Sequence, residues 1–487
     1  MAHEKKATSS TAGVEWRINV GDGSSKILVQ EAVLATRAWL GLKGLVFKVR
    51  KFWEKAYDVG VNDPRKVVHC LKVGTALTVV SLFYYLRPLY EGFGGNAMWA
   101  IMTVVVVFEN TVGATIYKSL NRVSGTSLAG LLAFSVHWVA CKSGEKFEPL
   151  LVGASVFLLA SAATFSRFIP SVKQNFDYGA MIFILTFSLV AVSGYRVEKL
   201  FELAHERLST IIIGISSCFL VSMLICPIWA GQELYALVTS NMEKLANSLD
   251  CCVAEYFSPD DSNKNLLAYK CVLSSKASEE SMANFARWEP PHGCFSFKHP
   301  WKQYPKIGAA MRNCAYCIEA LSSCIDSETQ APEFIKKQLS TACQRVSSNS
   351  SSVITELAET IKSMKRSCNI DFLVEEMNSA VEELQQALKS LSKLSIPPES
   401  KNITETPTSA AMDTKVPLME VMPVVTFASL LIEISSRIKG IVKAVEQLAN
   451  VAEFKVTVQD KCNETQRNNK LQGQQKDEET MKVRQWF

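Results

Sequence analysis

The chain has 487 residues, of which 48% are hydrophobic and 20% charged, with a formal net charge of +5. So small a cationic excess argues against a dedicated nucleic-acid binder, and the length allows two or three domains. The average conceals a split: nearly all the long apolar segments lie between residues 67 and 230, and the charge lies on either side. That division predicts an all-α membrane protein with about six transmembrane helices followed by a cytosolic helical-bundle domain.

Residues 1–30 are polar, rich in Ser, Thr and Gly, and lack the apolar core of a cleavable secretory signal, so they read as a flexible tail. Over 31–62 the pattern changes. Trp39, Leu42, Val46, Val49 and Trp53 recur at spacings of three and four, while Lys43, Lys48, Arg50, Lys51 and Lys55 fill the other faces. This is a basic amphipathic helix, suited either to an anionic membrane leaflet or to packing on the chain's own soluble domain.

Six candidate spans fill 63–230, at roughly 67–86, 97–108, 123–141, 150–165, 178–193 and 208–229. Six crossings put both ends on one side. Lys48, Arg50, Lys51, Lys55, Arg65 and Lys66 precede the first span, and Lys118 with Arg122, then Arg167 with Lys173, occupy the other loops of that face. This bias predicts cytosolic termini. Glu91, Glu198 and Glu202 then face outward or into a lumen.

The second candidate, 97–108, is too short to cross about 30 Å of hydrocarbon, which takes about 20 residues. Glu109, Asn110 and Thr111 interrupt it, and the helix can resume through Val112, Gly113, Ala114 and Ile116 before Lys118 and Arg122. Those two cations are four apart and share a helix face. They suit a bundle interior or a water-filled path, with the flank of an ordinary membrane helix as the competing reading.

Arg207 opens the sixth span, with His205 and Glu206 as potential partners. A buried guanidinium costs about 3 kcal/mol on insertion scales, so it should line water or meet a carboxylate unless it snorkels from the helix end. Lys72, between His69 and Thr75, poses the same question from a position near enough to the cytosolic start to snorkel. Gly125, Ala129 and Ala133 on the third span form a small-residue face for close helix approach, either within one subunit or between two.

Beyond Pro227 the chain is soluble in character, and 231–454 reads as the cytosolic helical domain. Helices are predicted over 231–256, 265–286, 305–326 and 332–362. Two further apolar seams run Val374, Met377, Val381, Leu384, Leu388, Leu391 and Phe427, Leu431, Ile434, Ile438, Ile441, Val445, Leu448. Both suit a coiled coil or a bundle. The stretch 424–434 carries Glu433 and reads as a buried helix rather than a seventh span. A Pro-rich stretch near 395–417 reads as a linker, and 455–487 as a disordered tail.

The 14 cysteines fit a reducing cytosol better than a disulfide scaffold. Cys314 and Cys317 form a CxxC without two further ligands nearby, so no metal is assigned. Walker, GxSxG, HExxH and dinucleotide motifs do not occur. The chain is therefore read as a non-enzyme that needs no cofactor.

WAIMTVVVVFE followed by VGAT and LNR resembles the signature of the aluminium-activated malate transporter family of plant anion channels. FDYGAMIFILTFSL at 176–189, ERLSTIIIG at 206–214, CPIWAGQEL at 226–234 and NFARWEPPHGCFSFKHPWKQY at 284–304 resemble it too, over about 63–321. The resemblance implies a homodimeric pore for malate and inorganic anions, lined by Arg122 and Arg207; Lys118 and Lys72 are further candidates from position and charge alone. It also implies an external cation or aluminium site near Glu91, Glu198 and Glu202. Its WEP stretch, Trp288–Pro290, reads more simply as a structural turn with a buried tryptophan. Guanidinium forks match carboxylates, which suits a dicarboxylate path. The alternative is an ion-coupled carrier or extruder resembling fusaric-acid resistance proteins, and a weaker third is a membrane-anchored scaffold. The membrane would be the plasma membrane or a vacuolar or other endomembrane.

Overall fold

The computed structural model describes residues 28–85, 97–144, 146–194, 200–258, 266–293, 295, 299–325, 331–395 and 418–456. Outside them lie most of the N-terminal tail, the linker near 395–417, the C-terminal tail from 457, and Glu91 and Glu198. The side chains of Glu202 and Glu206 also lie outside the description. The chain divides after Leu71 into two compact units.

In the first unit, helix α1 spans Leu28–Asn62. Val46, Val49 and Trp53, the stripe read from the sequence, are exposed there. Helix α2, Pro64–Tyr85, follows a single non-helical residue, Asp63.

Among the described residues of the membrane region five more helices follow: α3 Ala97–Val107, α4 Val112–Lys142, α5 Glu148–Ser166, α6 Pro170–Gly194 and α7 Leu200–Leu224. The last four each contain a stretch long and apolar enough to cross a bilayer, whereas α3 has 11 residues and reaches about 16 Å, half of one. Many large apolar side chains here point outward, among them Leu131, Phe134, Phe157, Leu158, Phe165 and Leu220. Helix α5 has one buried residue, Val152. A helix apolar all round is solvated by lipid rather than water. The chain is a multi-pass membrane protein.

Helix α4 begins eleven residues before the predicted third span, so Lys118 and Arg122 sit inside a helix and not in a loop. The reason is local. Thr111 caps it, its Oγ1 accepting from the Ala114 N–H at 3.3 Å, and the Val112 N–H donates to the Ile228 carbonyl at 2.9 Å. A cap and a tertiary bond together satisfy N–H groups that a helix start leaves open.

The small-residue face of α4 packs within the subunit. A Cβ at Gly125 would lie 2.7 Å from the Gly179 carbonyl of α6. Ala129 and Ala133 are buried with Phe183, Phe187 and Val190. On the other side, Ala76 and Val80 of α2 pack with Ala100 and Val104 of α3 and Cys218 and Val221 of α7.

The soluble part contains α8 Ala230–Phe257, α9 Tyr269–Ser274, α10 Lys276–Ala286, α11 Gln303–Ile325, α12 Glu333–Ser363, α13 Ile370–Ser395 and α14 Leu418–Val451. Met377 and Leu384 of one seam and the whole Phe427–Leu448 seam of the other enter a single core, so both belong to a bundle. By length and composition α14 would also cross a membrane. Its apolar stripe is instead covered by α11, α12 and α13. A two-residue parallel ladder, Lys365↔Lys455 and Arg366↔Val456, ties β1 to β2.

Candidate functional site

The central feature lies where α3, α4, α6 and α7 meet. Arg122 on α4 and Arg207 on α7 are each only 6% exposed. They line one small cavity with Trp99, Thr126, Thr186 and Ile211. Its volume, about 10 Å³, is on the order of one water molecule.

The Arg207 guanidinium carbon sits 3.8 Å from the Trp99 ring centroid, a cation–π contact that holds the charge without neutralising it. Arg122 donates through Nη1 to the Tyr178 hydroxyl at 3.3 Å. Its Nε and the Thr126 hydroxyl are buried without a hydrogen-bond partner among the described residues. Among the described residues no carboxylate lies within 4.0 Å of either guanidinium. Two cations with no carboxylate partner among the described residues, around a water-sized space of low dielectric, favour a positive local potential. An anion is the natural third party.

Lys118, one turn before Arg122, forms an ion pair with Glu109 in the α3–α4 break. Its Nζ lies 5.8 Å from the Tyr178 ring centroid. Tyr178 thus touches Lys118 through its ring and Arg122 through its hydroxyl. Lys118 and Arg122 stand one turn apart on α4, and Arg207 of α7 shares the small cavity with Arg122.

Lys72 is elsewhere. It is 1% exposed and donates to the Cys226 carbonyl at 2.8 Å, where Cys226 has left-handed φ 43° just past the end of α7. An ammonium on the last carbonyls satisfies acceptors that a helix end leaves open. Arg207 lies about 25 Å away along the same helix.

Beside Arg207 a larger cavity of about 470 Å³ opens between α4, α6 and α7, with Gly130, Leu131, Phe134, Val190 and His205 among its walls. His205 is exposed, and Arg207 also lines this cavity.

A second feature joins membrane helices to the soluble bundle, and here the reading of the WEP turn needs correction. Trp288 is 46% exposed; the buried residue is Glu289, at 5%. Its carboxylate accepts from the backbone N–H groups of Gly113 at 3.1 Å, Ala230 at 2.6 Å and Gly231 at 3.0 Å. These lie in the first turns of α4 and α8. One carboxylate thus complements the positive ends of two helix dipoles. His292 stacks on Trp229 at 4.0 Å, with its Nε2 3.9 Å from Glu289 Oε2. No hydrophobic pattern reveals an acid that accepts from a residue 176 positions away; the signal in the sequence was its place in a stretch that resembles a family motif.

Every cysteine among the described residues is free, and Cys314 and Cys317 are buried in the bundle core. Burial pushes the Cys314 thiol up to about 12, which suits packing rather than ligation.

Fold and site define a multi-pass helical membrane protein with two buried arginines around one small cavity. Residues 57–416 match the family described as aluminium activated malate transporter. The chain is 52% identical to aluminium-activated malate transporter 10 of Arabidopsis thaliana, over 96% of this chain and 99% of that one. It is 44% identical to transporter 2 of the same plant, over 84% and 79%, and 40% identical to transporter 1 of Triticum aestivum, over 85% and 88%. The chain belongs to the aluminium-activated malate transporter family.

Proposed function

We propose that the chain is an anion channel that passes malate, and inorganic anions such as chloride or nitrate, passively through a pore between two copies. Arg122 and Arg207 form its cationic constriction and Lys118 its approach on the side of the helical domain. The carrying observation is the pair of buried guanidiniums facing one water-sized cavity without a described carboxylate partner. Binding must be strong enough to replace hydration and weak enough to release, and aromatic neighbours meet that condition better than carboxylates would. The malate assignment draws on the names of the relatives.

A space of about 10 Å³ does not admit a dicarboxylate, so conduction requires the constriction to widen. The apolar cavity beside Arg207, with exposed Leu131 and Phe134, supports a second copy on that face. Both termini are assigned to the cytosol, in a plasma or vacuolar membrane. Glu91, Glu198 and Glu202 are assigned to the outward face, as a cation or aluminium site.

Voltage clamp on cells expressing the chain and loaded with malate tests the channel reading. A malate-dependent current that follows voltage and collapses in Arg122→Ala and Arg207→Ala, with surface protein unchanged, is the expected result. Saturable flux that depends on a coupling ion would establish a carrier instead. Unaltered conduction in both variants would remove the arginines from the pore.

A further inference from the structure

The outer end of α4, remote from the arginines, carries a cluster of different chemistry. His137 and Cys141 are four apart and share the last turns of the helix. The chain then reverses through Gly144, whose φ of +91° suits a residue without a Cβ. The Phe147 N–H closes this turn on the Gly144 carbonyl at 3.0 Å. Glu148, the first residue of α5, returns to the same point. One donor atom each from His137, Cys141 and Glu148 lies within 4.8 Å of the other two.

The spacing of the helix pair is compatible with a shared metal as well as with a direct thiol–imidazole hydrogen bond. Cys141 Sγ is 3.5 Å from His137 Nε2. A tetrahedral ion with metal–sulfur and metal–nitrogen bonds of about 2.3 and 2.05 Å sets those atoms about 3.5 Å apart. One imidazole, one thiolate and one carboxylate form a borderline-soft set that suits zinc or a similar divalent transition ion, and three protein ligands leave a fourth position open. A hard cation such as aluminium takes oxygen donors and would find one here. The neighbouring cation Lys142 is held over the Trp138 ring at 4.0 Å. Cys141 is exposed and His137 and Glu148 half-buried, so an ion in solution can reach them.

We propose that His137, Cys141 and Glu148 form a binding site for a divalent transition metal of the zinc type at the end of α4 opposite the helical domain. It lies about 36 Å along the helix from Gly113 and about 22 Å from Arg122. An ion there clamps the end of α4 to the start of α5.

The test uses the full-length protein in lipid nanodiscs, titrated with Co²⁺ as a spectroscopic stand-in. One equivalent should produce thiolate-to-cobalt charge-transfer absorption. Cys141→Ser should abolish the band, and His137→Ala and Glu148→Gln should each weaken affinity at least tenfold. Zn²⁺ should displace Co²⁺, and Al³⁺ should not. X-ray absorption on the zinc-loaded wild type, which needs no variant to fold, should show one sulfur among nitrogen and oxygen ligands. A band that persists in Cys141→Ser, no band in the wild type, or a shell of oxygens alone or of several sulfurs would overturn the site.

Discussion

Gly113 and Glu289 are in contact across the boundary between the membrane helices and the soluble bundle: the Gly113 N–H donates to the Glu289 carboxylate at 3.1 Å. A Cβ on Gly113 would lie 2.5 Å from the Phe285 carbonyl and 2.8 Å from Glu289 Oε1. The absent side chain makes room for the carboxylate. Gly113→Ala should therefore cost about 2–4 kcal/mol, from overpacking and a displaced hydrogen bond. Glu289→Gln should cost a similar amount, because an amide NH₂ would face N–H groups. Thermal unfolding of the purified protein measures both.

Removing Lys72 should destabilise the fold, whereas removing Arg122 should not. Lys72 bonds the Cys226 carbonyl, so Lys72→Met should lose about 1.5–3 kcal/mol, the scale of a hydrogen bond to a charged group. Arg122→Met removes a buried cation with no described carboxylate partner and should leave the unfolding midpoint unchanged or raised. Its malate current should fall roughly thirtyfold, for the loss of about 2 kcal/mol of attraction. Parallel unfolding and voltage-clamp series would separate the two effects.

Glu279 tests the bundle core. It is fully buried, pairs with Arg312 at 2.7 Å and accepts from the Ser275 hydroxyl at 2.7 Å. A Cβ at Gly308 would lie 1.9 Å from its Oε2. Gly308→Ala should break the pair and cost at least about 3–5 kcal/mol. Loss of folded protein at the membrane, assayed by surface labelling, is the expected outcome.

Acid should weaken the bundle through His299. Its Nε2 lies 3.0 Å from the Tyr304 hydroxyl, and Phe295 and Trp301 flank the ring at 5.0 and 4.5 Å. Burial lowers its pKa to about 4, so the fold favours neutral imidazole. The unfolded chain binds the proton first, near pH 6.5. This contribution is complete above about pH 6.5 and lost as pH falls toward 4, by up to about 3 kcal/mol. Unfolding midpoints across that window should slope in the wild type and flatten in His299→Gln.

Much of this architecture was legible because periodicity is local. The soluble helices predicted over 305–326 and 332–362 appear at Gln303–Ile325 and Glu333–Ser363. The shared face of Lys118 and Arg122 followed from their spacing. What escaped depends on partners distant in the chain. The start of α4 needs the Ile228 carbonyl and Glu289, so apolar patterning placed it too late. Trp99 and Tyr178 complete the arginine site from other helices, and neither spacing nor charge marks them out. Lys72 read like the arginines until the left-handed turn at Cys226 supplied its acceptor.

Helix α4 runs unbroken from Val112 to Lys142. Its foot is gripped by a residue of the soluble bundle, its middle carries Arg122, and its far end carries His137 and Cys141. Such a rod is a lever. A tilt of about 5° pivoting at Gly113 displaces Arg122 by about 1 Å and His137 by about 3 Å, at a rise of 1.5 Å per residue. For a cavity the size of one water molecule, about 1 Å is a large fraction of its width. A small rotation of the bundle and the proposed clamp at the opposite end would therefore act on the same arginine cavity with unequal mechanical advantage.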